Sequence, residues 1–268
     1  MTELPFAATT PVSVAEVGLK ARDAEALARY YRQVVGLEEI TRRDGVIVLG
    51  VGGRALLTIE PAPNATPDDP REAGLFHTAF LLPSRAALAR WARYAIERQV
   101  ELDGASDHLV SEAIYLNDPE GNGIEIYADR QRDLWPWRNG EVAMETLRLD
   151  FRNLLESAGD KQWDGAPDGT VVGHVHLRVG DPAEAERWWH ENMGFETMAR
   201  YGPSAVFLAS GGYHHHVGAN AWHSAGAKRR NPARAGLAWV HFADTRADSD
   251  RVLEDPWGTQ IRLSPRAA

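Results

Sequence analysis

One stretch of this 268-residue chain occurs twice. "VGLKARDAEALARYYRQVVGLEE" (Val17 to Glu39) lies over "VHLRVGDPAEAERWWHENMGFET" (Val175 to Thr197) without a gap, so that Asp23 meets Asp181, Tyr30-Tyr31 meets Trp188-Trp189 and Gly36 meets Gly194. Such a repeat constrains the fold more than any single segment, because both copies must form the same unit. Each reads as an alternating strand, an Asp at a helix start, a helix with its aromatic pair toward the core, and a Gly just past its end. β-rich runs follow, "GVIVLG" and "ALLTIE" in the first copy, "SAVFLAS" and "YHHHVGAN" in the second. The predicted unit is βαβββ.

Two further units share its outline. "GLFHTAFLLPSRAALARWARYAIERQ" reads as a strand and a helix, and "SEAIYLNDPEGNGIEIYADR" as two strands joined by a turn-forming segment. "GLAWVHFAD" and "VLEDPWGTQIRLSP" repeat the ends of that pattern, with Asp255-Pro256 and Gly258 echoing Asp118-Pro119 and Gly121, and leave little or no room for a helix. The chain thus holds four modules: Thr10 to Pro63, Gly74 to Arg130, Val172 to Trp222, and a truncated Gly236 to Pro265. The expected division is an N-terminal domain at 10–130 (modules one and two), a connector at 131–170 and a C-terminal domain at 171–265 (modules three and four). Pairing of module two with three and of one with four is the alternative.

Composition narrows the function classes. The net charge of −9, with no basic cluster beyond "AKRRNPAR", argues against nucleic acid as a partner. No apolar run is long enough to span a bilayer, and "MTELPFAATT" lacks the basic start and apolar core of a signal peptide. Together with the absence of cysteine, this points to a cytoplasmic protein without disulfides.

The modules, the strand "HVHLRV", and the segments "LFHTAFLLPSR", "DHLVSEAIYLNDPEGNGIEIYADR" and "GGYHHHVGANAW" resemble the vicinal oxygen chelate superfamily of glyoxalases, bleomycin-resistance proteins and extradiol dioxygenases. Within it, the chain is most similar to bacterial catechol-2,3-dioxygenase-like proteins. The resemblance implies an α+β fold of βαβββ modules forming two cupped mixed-sheet barrels, with metal ligands on the first and last strands of a module. The first-strand position falls on Glu16, His77, His174 and Trp239 in the four modules, and the last-strand position on Glu125 in module two and Arg262 in module four. Sequential pairing would leave His174 facing Trp239 and Arg262, which is no metal site, and would offer Glu16, His77 and Glu125 in the first half, a less usual ligand set. Pairing modules two and three gathers His77, His174 and Glu125, the two-histidine, one-carboxylate set of non-haem Fe(II) oxygenases.

The resemblance therefore implies an Fe(II)-dependent extradiol dioxygenase acting with O₂ on a catechol-type aromatic, in aromatic catabolism, and a homo-oligomer. A glyoxalase-like lyase or isomerase using Mn²⁺, Zn²⁺ or Ni²⁺, with a fourth protein ligand, and a non-catalytic small-molecule binding protein are the rival readings. His176 shares a strand face with His174 and also reaches a ligand position; the alignment selects His174 and leaves His176 lining the cavity. For the triple histidine, strand alternation puts His214 and His216 on one side and His215 on the other, so the three cannot share one metal. The resemblance gives His215 the acid/base position, and a register one residue off gives it to His214 or His216. Tyr115 matches a tyrosine that hydrogen-bonds substrate oxygen, and His108 a further active-site histidine. Trp135 and Trp137 are expected to anchor the connector.

Overall fold

The structure, a computed structural model, describes residues 4–266. Its strands are β1 (Val12–Ala21), β2 (Glu38–Arg43), β3 (Val46–Val51) and β4 (Arg54–Pro61) in module one, and β5 (Gly74–Leu81), β6 (Gly104–Asp107), β7 (Ser111–Asn117) and β8 (Gly123–Asp129) in module two. The connector carries the two-residue strands β9 (Trp137–Arg138), β10 (Glu141–Val142) and β11 (Leu147–Arg148). Module three has β12 (Val171–Arg178), β13 (Glu196–Tyr201), β14 (Ala205–Ala209) and β15 (Val217–Asn220), and module four β16 (Gly236–Asp244), β17 (Arg251–Glu254) and β18 (Gln260–Pro265). Helices α1 (Ala24–Tyr30), α2 (Arg85–Glu97) and α4 (Pro182–Met193) follow the first strands of modules one to three, α3 (Phe151–Glu156) belongs to the connector, and module four has no helix.

The repeat shows in the caps. Asp23 accepts a hydrogen bond from the Ala26 amide and Asp181 from that of Ala183, and Gly36 and Gly194 end their helical segments with φ of 84° and 64°, where a side chain would be strained. Only the second aromatic of each pair is fully buried, Tyr31 and Trp189; Tyr30 and Trp188 are half-buried, since adjacent helical residues point about 100° apart.

The modules pair out of sequence order. A nine-stranded sheet runs β11-β6-β7-β8-β5-β12-β15-β14-β13, joined by antiparallel β5 and β12, and a seven-stranded sheet runs β17-β18-β16-β1-β4-β3-β2, joined by antiparallel β1 and β16. Both sheets thus cross the division into 10–130 and 171–265. The connector packs on the larger sheet through β11, which pairs with β6. Trp135 anchors it, buried against His214 with its indole N–H donating to the Arg130 carbonyl, whereas Trp137 is 47% exposed. No helix is long and apolar enough to cross a membrane.

Candidate metal centre and its cavity

The larger sheet brings distant residues into one row. His174 on β12 pairs with Ala79 on β5, Ala79 with Glu125 on β8, and Glu125 with Tyr115 on β7. Paired positions face the same side, so the four side chains lie abreast. His77, two residues before Ala79, falls in the next row on that face, between His176 and Gly123. Ala79 and Gly123 keep the floor low, and the longer side chains close over it. His77 Nε2 lies 3.0 Å from Glu125 Oε2, His174 Nε2 lies 3.1 Å from the same oxygen, and the two nitrogens are 3.4 Å apart.

These atoms fit a metal ion. Two ligand atoms about 2.1 Å from a common ion and at right angles to it are about 3.0 Å apart, which is the spacing already present. Burial pushes the Glu125 carboxyl up, but the His174 and His77 imidazoles beside it outweigh burial and hold it well below the usual range. Burial lowers His174 to about 4 against the pull of Glu125, so its ring is neutral near pH 7. A carboxylate with a neutral imidazole, buried together, is a donor set for a divalent cation. Among the described residues, His77, Glu125 and His174 form the one group of three or more His, Cys, Asp or Glu whose donor atoms converge, and it contains no fourth ligand.

The triad opens onto a cavity of about 550 Å³. His215 lines it, with its ring centroid 4.1 Å from that of His174. Tyr115 and His108 line it too, 2.7 Å apart between hydroxyl and Nε2. His108 Nδ1 lies 2.7 Å from the Glu145 carbonyl, an acceptor only, so Nδ1 carries the proton and Nε2 accepts from the Tyr115 hydroxyl. Burial, then the nearby Glu125 charge, pushes the Tyr115 phenol well above 10, so it stays protonated and able to donate. His176 lies over Gly218, where a Cβ would come within 2.8 Å of its ring; it lines the cavity, and its buried Nε2 has no hydrogen-bond partner. Connector residues Met144 and Thr146 complete one wall.

The triple histidine departs from its expected geometry. The strand begins only at Val217, and His214 to His216 lie in a bent segment, so strand alternation does not order them. His214 and His215 are neighbours, with their Nδ1 atoms 2.8 Å apart, while His216 turns away, its Nε2 bonding the Ala7 carbonyl and its Nδ1 accepting from the Ser210 amide. The smaller sheet builds no such triad. Glu16 accepts from the Thr58 hydroxyl, Trp239 donates to Glu60, and the Arg262 guanidinium lies 4.1 Å from the Trp239 ring centroid, so an indole and a cation stand where the larger sheet has His174 and Glu125.

Sequence reasoning passed over Tyr127, Asp129 and Tyr213. His174 Nδ1 lies 3.2 Å from the Tyr127 hydroxyl, which lies 2.7 Å from that of Tyr213, and both Tyr213 and His214 bond Asp129. The signal was present in "GIEIYAD", where alternation places Glu125, Tyr127 and Asp129 on one face of β8.

Comparison with known proteins agrees with the architecture. The family model described as the Glyoxalase/Bleomycin resistance protein/Dioxygenase superfamily matches residues 13–126 and 171–261. A relative named Catechol-2,3-dioxygenase, from Bacillus subtilis (strain 168), is 40% identical over 223 residues, covering 82% of this chain and 78% of its own. Among solved structures, a protein from Bacillus subtilis subsp. subtilis str. 168 matches with a TM-score of 0.62 at 14% identity, over 97% of this chain and 86% of that one. Glyoxalase I from Zea mays matches with a TM-score of 0.57 at 13% identity, over 97% and 94%. Likeness at such identities is of fold alone. Through the family model and the 40% identical relative, the chain belongs to the glyoxalase, bleomycin-resistance and dioxygenase superfamily.

Proposed function

We propose that the chain is an Fe(II)-dependent extradiol dioxygenase that opens a catechol-type ring with O₂. One observation carries the reading: His77, His174 and Glu125 converge at the floor of a largely apolar cavity whose wall holds His215 and Tyr115. The similarity to a protein named Catechol-2,3-dioxygenase supports it. His77, His174 and Glu125 would hold the iron, which would supply a Lewis-acidic centre for the catechol and O₂. The three-residue donor group, without a fourth ligand among the described residues, favours this over a glyoxalase-like lyase or isomerase.

The remaining roles belong to the chain's own side chains. His215 is buried beside His174, and burial, then His174, holds its imidazole well below 6.5, so it enters the reaction neutral and can take a proton from a substrate hydroxyl. The Tyr115 phenol, its one proton held by His108 Nε2, presents its oxygen to accept a hydrogen bond from a substrate hydroxyl. Phe76, Phe207 and Trp222 provide aromatic walls that exclude water and stack on a planar ring. The cavity lining contains no Lys or Arg, and its charged members, Glu125 and Asp103, are both acidic. A ring substituent with a carboxylate would meet no counter-charge there, so the substrate is an uncharged catechol.

The test is anaerobic loading with Fe(II), then oxygen and a catechol panel. A yellow ring-cleavage product from catechol and alkyl- or aryl-catechols, and little from carboxylated ones, is expected. No product from any member, despite one iron per chain, would overturn the reading.

A further inference from the structure

The cavity is larger than one ring requires. Its volume of about 550 Å³ falls within the roughly 300–1,000 Å³ of sites that enclose drug-sized ligands, and a single ring with two hydroxyls would leave much of it unfilled. Beyond Glu125 and His174, Tyr127, Trp135 and Tyr213 fill the sheet face and do not line the cavity, so from the triad the space runs past His77 and His176. His176 follows His174 by two residues on β12, a step of about 6.6 Å along the same face, and its ring centroid lies 5.0 Å from that of His77. The missing side chain at Gly218 lets the His176 ring lie close against the sheet, where it forms a floor.

Two aromatic pairs flank this floor. Phe76 and Trp222 meet edge to face with centroids 5.3 Å apart, and Tyr201 and Phe207 do so at 5.4 Å. The His176 ring touches both pairs, with centroids 5.2 Å from Phe76, 5.3 Å from Trp222 and 5.6 Å from Phe207, yet among the described residues no aromatic contact joins one pair to the other. All five rings line the cavity, so they bound a slot that is aromatic on both sides and beneath.

Both walls are held in place. Trp222 is 42% exposed, but its indole N–H donates to Ser204 Oγ across 3.3 Å and its backbone amide to Asn220 Oδ1 across 3.2 Å. The Tyr201 hydroxyl lies 3.4 Å from Thr146 Oγ1, and Met144 of the connector packs on the same cluster. An aromatic surface that is fixed yet still exposed can be covered by a ligand ring with little further ordering.

We propose that this slot is a second-ring subsite, and that the substrate is an uncharged catechol carrying another aromatic ring, joined directly or through one atom. The inference rests on the proposed dioxygenase function, which places the dihydroxylated ring at the triad; the slot takes the other ring one row further along. A saturated ring of similar size would bury the same apolar area there but would lack the stacked and edge-to-face contacts.

The experiment is anaerobic calorimetric titration of the Fe(II)-loaded full chain with catechol, 3- and 4-phenylcatechol, and 3- and 4-cyclohexylcatechol. The better phenylcatechol should bind at least about 10-fold more tightly than catechol through its buried area, and about 3- to 10-fold more tightly than its cyclohexyl counterpart through its aromatic contacts. Trp222→Leu and Tyr201→Leu keep apolar bulk and should each bring the phenyl-to-cyclohexyl ratio toward one. A ratio of one in the wild type, a ratio unchanged in both variants, or no binding by any of these compounds overturns the proposal. Admitting oxygen afterwards separates it from the activity. The expected preference without ring cleavage would refute the dioxygenase and leave the slot standing, whereas cleavage of all five compounds with no preference in binding would do the reverse.

Discussion

His174 and Glu125 stand on strands that do not touch, β12 and β8, and meet at 3.1 Å over the methyl group of Ala79 on the strand between them. The smallness of residue 79 is therefore a condition of the site. Ala79→Leu should abolish stoichiometric metal binding while costing about 1–3 kcal/mol of stability from overpacking. Metal analysis after dialysis, beside a denaturation curve, checks this; full metal content in the variant would refute it.

Glu125→Gln keeps the shape of the side chain and removes its charge. Without the carboxylate, the two imidazoles offer a divalent cation no charge compensation in a buried site, and metal affinity should fall by more than the roughly 10- to 100-fold typical of losing an outer partner. Competition against a chelator of known affinity provides the readout. An affinity unchanged within error would remove Glu125 from the donor set.

His215 touches the His174 ring yet is no member of the donor group. His215→Ala should retain one metal per chain and lose about 10²- to 10⁴-fold in kcat, the range for a general acid/base. Loss of the metal in parallel with turnover would instead make His215 a ligand.

Acid should destabilise the metal-free protein through His216. Burial lowers this ring from 6.5 to about 3, where it is held neutral between the Ala7 carbonyl and the Ser210 amide. Between those pH values the unfolded chain binds a proton that the folded chain does not, so the stabilisation is complete above about 6.5 and is lost as pH falls, by at most about 1.4 kcal/mol per pH unit. Urea denaturation from pH 7 to 4 should show this slope in the wild type and a shallower one in His216→Gln. Equal slopes would contradict the assignment.

The smaller sheet offers a test of packing. Gly18 lies under the Trp239 indole, and a Cβ there would fall within the ring. Gly18→Ala should cost about 1–3 kcal/mol, or more if the ring cannot shift, without changing metal affinity in the other sheet. A variant as stable as the wild type would show that the indole moves freely.

Much of this was readable beforehand, for reasons of covalent periodicity. Caps and turns are local, so Asp23, Asp181, Gly36 and Gly194 announced their helices. Alternation is equally local, and it placed His77 and Ala79 on one strand face and His174 and His176 on another. The truncation of the last module was evident from the few residues between "GLAWVHFAD" and "VLEDPWGTQIRLSP". The triple histidine misled because a strand's start is set by its neighbours: the paired positions of β15 begin at Val217, and although the His216 backbone still bonds Leu208 and Val175, His214 and His215 lie in the bend before it.

The amino-acid sequence alone determined the repeating unit, its caps, and the inventory of side chains able to hold a metal. Which modules share a sheet was decided only in three dimensions, because strand pairing depends on contacts between residues far apart in the chain, such as Thr78 with Val175, that no local pattern records. That same long-range pairing joined Tyr127 and Asp129 of one module to His174, Tyr213 and His214 of another.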